Sequence, residues 1–386
     1  MSGGLNPALA RLIAGQIFLH ATMAGMRMAA PLLALREGYS EAAVGVLLAL
    51  FALTQVFLAL PAGRFADRRG LKRPMGMAVI AAFVGAGMAA LWPVFPVLCI
   101  AALLTGGATG GASIALQRHV GRAAETPTQL KQVFSWLAIG PAVSNFLGPF
   151  CAGVAIDNGG FRLAFMLMAA LPLVTWFWVQ SAVELPPVIR PAGEKPGTAW
   201  DLVREPMFRR LLLVNWFLSS CWDVHTFVVP VLGHERGLSA SVIGTILGAF
   251  AIAAALVRVA LPILAAHLKE WKVITWAMAA TAVLFAVYPF LHSALAMGAC
   301  STLLGLALGC VQPMVMSTLH QITPGHRHGE AVALRIMAIN ASSVAMPMLF
   351  GLTGTVIGIS GVFWIVGAIV GGGTRLAVKL RADKIP

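Results

Sequence analysis

Long apolar blocks recur along the chain, parted by short polar clusters such as REGYSE at 36–41 and DRRGLKR at 67–73. Neither the strict alternation of a half-buried strand nor a narrow amphipathic stripe governs the blocks. A helix needs ~20 mainly apolar residues to cross a bilayer. The blocks therefore predict spanning helices near 10–35, 40–66, 73–94, 96–118, 132–156, 161–183, 209–233, 239–266, 272–291, 294–319, 329–356 and 358–379. They are too long and continuous for the ten-residue alternations of a membrane barrel. The expected fold class is an all-α membrane protein of twelve transmembrane helices.

Composition agrees. The chain is 59% hydrophobic and 11% charged, with a mean hydropathy of +0.86, whereas soluble domains hold ~45–50% apolar and ~25% charged residues. A net charge of +13 would suit nucleic acid, but its placement follows topology instead. Arg64, Arg68, Arg69, Lys72, Arg73, Arg118, Arg122, Lys131, Arg190, Lys195, Arg204, Arg209, Arg210, Lys269, Lys272, Arg327, Arg375, Lys379, Arg381 and Lys384 fall on one side of the membrane. The opposite loops hold Arg36, Arg162 and Arg236. Basic loops stay cytoplasmic, so both termini are expected in the cytoplasm and the chain in the cell (inner) membrane, with the first span retained. The bilayer is the expected partner, and nucleic acid is not.

The chain also repeats itself. An offset of 199 carries Arg11, Leu12, Phe18, Leu19, Pro31, Leu33, Gly38, Ser40, Gly45 and Phe51 onto Arg210, Leu211, Phe217, Leu218, Pro230, Leu232, Gly237, Ser239, Gly244 and Phe250. An offset of 198 then carries Gly107, Gly111, Pro149 and Gly153 onto Gly305, Gly309, Pro347 and Gly351. Two pseudo-symmetric six-helix bundles follow, 1–183 and 209–386, joined by a proline-rich cytoplasmic linker at 184–208 in which TAWDLVRE reads as one short helix.

Between the second and third predicted helices stands GRFADRRGLKRP, residues 63–74. It resembles the loop signature of the major facilitator superfamily, Gly-x-Leu-Ala-Asp-Arg-x-Gly-Arg-Lys, with Gly63, Ala66, Asp67, Arg68 and Gly70 matching and Lys72 and Arg73 in the basic tail. In the fifth helix, GPFCAG resembles the Gly-Pro-x-x-Gly-Gly element of the drug–proton antiporter branch, through Gly148, Pro149 and Gly153, with Ala152 in place of one glycine. The resemblance implies two parallel bundles that rock around a central site. It also implies that Asp67 interacts with neighbouring helix ends and holds the outward-open state. The chain departs from that branch in the fourth helix, LLTGGATGGASIALQ, which lacks an intramembrane arginine, and in the loop ILAAHLKEWK, a degraded copy of the signature.

Within the predicted spans charge is scarce. A charge at mid-bilayer costs ~2.5–3.5 kcal/mol on insertion scales, so such residues face a cavity or a partner. Arg27 shares a helical face with His20, and the repeat sets Asp223 and Thr226 in the seventh helix against Ala24 and Arg27. Asn215, Trp222 and His225 lie close by, and Arg335 in the eleventh helix extends an electropositive path. One reading has Arg27 and Asp223 merely neutralising each other. The other has Arg27 binding an anionic group of the substrate, since a guanidinium donates two parallel hydrogen bonds to a carboxylate or phosphate, while Asp223, with His225, responds to protons. Arg258 either snorkels or lies buried.

The expected function is a secondary active transporter, working as a monomer, that moves a small organic anion or zwitterion by alternating access with proton coupling. Proton-driven efflux of drug-like amphipathic compounds is the alternative, and a membrane-embedded enzyme is less favoured. No cofactor and no metal site are expected. Cys99, Cys151, Cys221, Cys300 and Cys310 lack metal-ligand spacing, and the GHRHG turn at 325–329 offers His326 and His328 without further ligands nearby.

Overall fold

The computed structural model of the chain describes residues 7–186, 198–238 and 240–381, without the side chains of 344–357 and of a few scattered positions. Among the described residues the regular structure is helical. The first half contains α1 (Pro7–Arg36), α2 (Glu41–Phe57), α3 (Ala59–Arg69), α4 (Lys72–Leu91), α5 (Phe95–Ala123), α6 (Pro127–Leu137) and α7 (Ile139–Gln180). The predicted linker helix is α8 (Ala199–Arg204), while most of the proline-rich stretch before it lies outside the described residues. The second half contains α9 (Pro206–Glu235), α10 (Ala240–Leu264), α11 (Glu270–Val287), α12 (Ala294–Gly309), α13 (Val311–Ile322) and α14 (His328–Val378).

Proline explains where predicted spans break. It removes the N–H that would pair with the carbonyl four residues back and crowds that carbonyl. Pro61 stands four residues after Phe57, where α2 ends and α3 departs at 47°. Pro141 and Pro313 stand four residues after Leu137 and Gly309, the ends of α6 and α12. α2 with α3, α6 with the part of α7 before Gly160, and α12 with α13 each make one predicted span.

The opposite happens at two tight turns. α7 and α14 each run through a single non-helical residue, Gly160 (φ 76°) and Gly358 (φ 71°), a backbone region open to glycine. Each long helix is therefore two predicted spans joined without a loop. Nine helices are long and apolar enough to cross a membrane among the described residues. The bent α2–α3 pair supplies a tenth passage, division at Gly160 an eleventh, and the part of α14 before Gly358 a twelfth.

Contacts divide the chain into two compact units. The first comprises Met1–Ala123, Leu137–Ala199 and Pro324–Asn340; the second comprises Ala124–Trp136, Trp200–Thr323 and Ala341–Pro386. Each unit thus takes in a short segment from the other half of the sequence. In the first, α1 packs against α7, α5, α2 and α4 around a core that includes Met26, Phe51, Ala101, Phe165 and Met168. In the second, α10 packs on α12, and α13 on α9 and α11.

Burial reproduces the repeat. Leu12, Gln16, Leu19, Met26 and Leu33 are buried, as are Leu211, Asn215, Leu218, His225 and Leu232 at the offset of 199. Arg27 and Thr226 are both exposed. The left-handed glycines Gly38 and Gly237 keep the same spacing. One detail is corrected. A Cβ on either Gly106 or Gly305 would strike the carbonyl of Phe51 or Phe250, and Gly110 and Gly309 lie against the equivalent residues, the Gln55 side chain and the Ala254 backbone. The fourth and tenth spans therefore keep the offset of 199, pairing Gly106 and Gly110, not Gly107 and Gly111, with Gly305 and Gly309. The offset of 198 holds by the Gly160–Gly358 pair. The side chains of Pro347 and Gly351 lie outside the described residues.

Candidate functional site

Helix α1 is held in place by polar ties to α7. Thr22 Oγ1 donates to Met168 O at 3.0 Å, Ser144 Oγ to Ile17 O at 3.0 Å and Thr175 Oγ1 to Gly15 O at 2.7 Å. Gly148 meets Gly25 backbone to backbone, so close that a Cβ on Gly148 would lie 2.8 Å from Gly25 N. This is the work of the GPFCAG element: small residues bring two helices together. Pro149 lies within α7, and Gly153 approaches Met28 Cε.

On that fixed helix Arg27 is exposed, while Met23, Ala24, Met26, Ala30 and Pro31 around it are buried. Among the described residues no carboxylate pairs with it. Pro31 lies four residues on, so the Arg27 carbonyl also lacks its helical partner. An open guanidinium beside a freed carbonyl, inside a spanning helix, requires water or a polar ligand rather than hydrocarbon. His20 lies about two helical turns away on the same face, its Nδ1 buried without a hydrogen-bond partner.

In the second unit, α9 carries the related positions. Asp223 is half-buried and accepts from Ser343 Oγ at 3.4 Å. Thr226 Oγ1 is exposed and donates to the Trp222 and Asp223 carbonyls. Pro230 frees the Thr226 carbonyl as Pro31 frees that of Arg27. Trp222 packs edge-on against Phe250, with the Arg258 guanidinium 5.6 Å from its ring centre. Arg258 does not snorkel. It is buried and donates through Nε to the Gly309 carbonyl at 3.3 Å, the acceptor that Pro313 leaves free.

Other predicted members lie deeper. Asn215 is 2% exposed, Arg335 5%, and His225 is wholly buried, stacked on Phe250 at 4.0 Å. His225 Nε2 meets Ser301 Oγ at 2.9 Å, which meets Tyr288 OH at 2.8 Å. The structure thus keeps Asp223, Thr226 and Ser343 at an accessible surface and withdraws Asn215, His225 and Arg335 into packing. Ser301, Tyr288 and Ser343 were not legible beforehand, since nothing in their local sequence pairs them with α9.

The loop signature forms the most complete polar cluster. Asp67 Oδ1 accepts from Gly329 N at 2.9 Å and Oδ2 from Glu330 N at 3.1 Å. These are first-turn amides of α14, which have no partner within their own helix. Asp67 therefore caps α14 from another helix, adding negative charge at the positive end of its dipole. Arg118 clamps the acid, donating through Nε to Oδ1 at 2.6 Å and through Nη2 to the Asp67 carbonyl at 3.1 Å. Gly63 and Gly329 touch so closely that a Cβ on Gly63 would lie 2.8 Å from the Ala333 Cβ. Arg64 and Arg327 each hold one oxygen of Glu330 at 2.9 Å. Gly70 turns at φ 76° beneath Glu184, which accepts from Leu71 N at 2.6 Å. Arg68 and Arg73 are exposed. Arg118 is only 2% exposed; along the sequence it looks like one more basic residue at a helix end, because its partner lies fifty-one residues away.

The degraded copy makes a contact of opposite polarity. Lys131 Nζ donates to the Leu268 carbonyl at 2.7 Å and lies 3.8 Å from Glu270 Oε1, while Gln132 Nε2 donates to the Pro262 carbonyl at 3.0 Å. Here donors from α6 bind one carbonyl in the last turn of α10, Pro262, and one just beyond the helix, Leu268, where positive charge complements the dipole. Ser317 and Gln321 secure Glu270.

The sequence family described as Major Facilitator Superfamily matches residues 12–302 and 211–384. The chain belongs to the major facilitator superfamily. It is thus a multi-pass membrane protein of a transporter family, with that family's fold of twelve helices in two bundles. Among relatives of this major facilitator chain, the multidrug resistance protein MdtG of Yersinia enterocolitica serotype O:8 / biotype 1B is 23% identical over 343 residues, covering 83% of this chain and 80% of that protein. Of solved structures, a bacterial homologue of the iron transporter ferroportin in an outward-facing state superposes with a TM-score of 0.82 at 15% identity, covering 98% of this chain and 100% of that one. The human organic anion transporter MFSD10 superposes at 0.78 and 15% identity, covering 96% and 100%. At such identities the structural likeness speaks for the fold alone.

Proposed function

We propose that this major facilitator protein carries a small organic anion or zwitterion across the inner membrane by alternating access, with proton coupling and with both termini in the cytoplasm. The observation that carries this reading is the exposed Arg27 on an otherwise buried stretch of α1. Its guanidinium offers paired donors to a carboxylate or phosphate, and the freed carbonyl beside it offers an acceptor for an ammonium or hydroxyl group. Asp223 stands at an accessible surface within hydrogen-bond reach of Ser343, which suits a carboxyl that gains and loses a proton in step with transport. The two bundles, 1–183 and 209–386, act as the moving halves about the 184–208 linker, and no cofactor is required.

A second reading, efflux of drug-like compounds, is favoured by the likeness to MdtG. Its cationic, amphipathic cargo would rely on Asp223 and the Trp222 ring rather than on Arg27. Purified protein in proteoliposomes distinguishes the two. Counterflow of radiolabelled small carboxylates and phosphates is expected to collapse in Arg27→Ala, with the variant's melting temperature unchanged. If Arg27→Ala transports anions at the wild-type rate, or if cationic dyes alone are carried, the anion reading fails.

A further inference from the structure

A groove of about 610 Å³ lies at the basic end of the second unit, where α11 and α12 run side by side. The transport residues lie outside its lining, and of the two end contacts only the Leu268 carbonyl, held by Lys131, borders it. Its lining divides by chemistry along the helix axis. Trp276, Leu303 and Leu306 form an exposed apolar wall, with Trp276 at 74% exposure. One helical turn away stand His267, Lys269 and Lys272, all exposed. No carboxylate lines the groove. Glu270, between the two lysines in sequence, is engaged by Ser317 and Gln321. Among the described residues neither lysine has an ion-pair partner.

We propose that this groove holds one anionic phospholipid of the cytoplasmic leaflet, its phosphodiester among His267, Lys269 and Lys272 and an acyl chain along Trp276, Leu303 and Leu306. An open apolar cleft in a spanning segment is filled by lipid chains, and the end of this one sits at headgroup depth on the side where basic loops gather. Basic pockets between transmembrane helices on the cytoplasmic side attract acidic headgroups. The volume falls within the ~300–1,000 Å³ typical of sites for small ligands. A zwitterionic headgroup would leave the two lysines without a net counter-charge.

Native mass spectrometry of the full-length protein, purified from nanodiscs of phosphatidylcholine mixed with phosphatidylglycerol, tests the assignment. One phosphatidylglycerol is expected to stay bound, and to raise the melting temperature above that in phosphatidylcholine alone. Lys269→Gln combined with Lys272→Gln should lower its occupancy roughly tenfold or more, given the attraction that each basic residue contributes at a membrane surface. Trp276→Ala should weaken it as well. A control pair outside the groove at the same end, Arg204→Gln with Arg209→Gln, should leave occupancy unchanged. Equal retention by the lysine variant and the wild type would overturn the proposal, as would equal retention of the two lipids. So would an equal rise in melting temperature from inorganic phosphate in detergent, which would make the cluster a free-anion site.

Discussion

Asp67 and Arg118 show how one charge pair is made tolerable near a membrane. Burying ions costs several kcal/mol each unless every lone pair and proton finds a partner, and Asp67 accepts from Arg118 and from two backbone amides. Removing one member strands the other. Arg118→Ala is expected to cost ~3–5 kcal/mol, seen as a clear fall in the melting temperature in detergent. Because its loss is compounded by the unpaired acid, adding Asp67→Asn should recover part of the stability. Additive losses in that double-mutant cycle would show that the two side chains do not act together. The same scale holds the plainest limit on reading sequence. Arg27 and Asp223 stand out because acidic or basic residues are rare in apolar surroundings, and Asp67 because it belongs to the loop signature; the first two are accessible and the third is networked. Ser301, Tyr288 and Ser343 do not stand out, since hydroxyls are common in spanning helices and only tertiary contact gives them a role.

Among elements, proline and glycine write the punctuation, and that much is visible in the chain. Pro61, Pro141 and Pro313 break spans that apolar length alone would draw as continuous, and Gly160 and Gly358 let two spans meet in one turn. At φ values of 76° and 71° a side chain is strained, so Gly160→Ala and Gly358→Ala should each cost ~1–3 kcal/mol, measured by thermal unfolding. A cost at one position and none at the other would contradict their equivalence. The α3–α14 contact is a second element-level feature. If transport requires these helices to part, a short bismaleimide bridge between Arg64→Cys and Glu330→Cys, in a background without the native cysteines, should arrest it. Transport at the uncrosslinked rate through a fully bridged protein would show that this contact need not open.

For the whole molecule, the repeat was legible because both copies must bury the same faces, and burial keeps the pattern even where side-chain chemistry has drifted. Its register was harder to read. Gly106 and Gly107 are adjacent glycines, and only the approach of the Phe51 carbonyl tells which one is packed. Segments that leave their own half, 124–136 and 324–340, were not foreseen, since periodicity reports which face is buried but not against what. The charge asymmetry predicts orientation directly: green fluorescent protein fused to either terminus should fluoresce in cells, whereas periplasmic export would leave it dark. Lys131 carries a last consequence. The residue is 4% exposed and its amine is spent on the Leu268 carbonyl in the turn after α10, so small acylating reagents can reach it only while α6 and that turn stand apart. The chain thereby contains a native chemical clock, and the labelling rate of one lysine, followed by peptide mass, would time the opening of that end without any engineered probe.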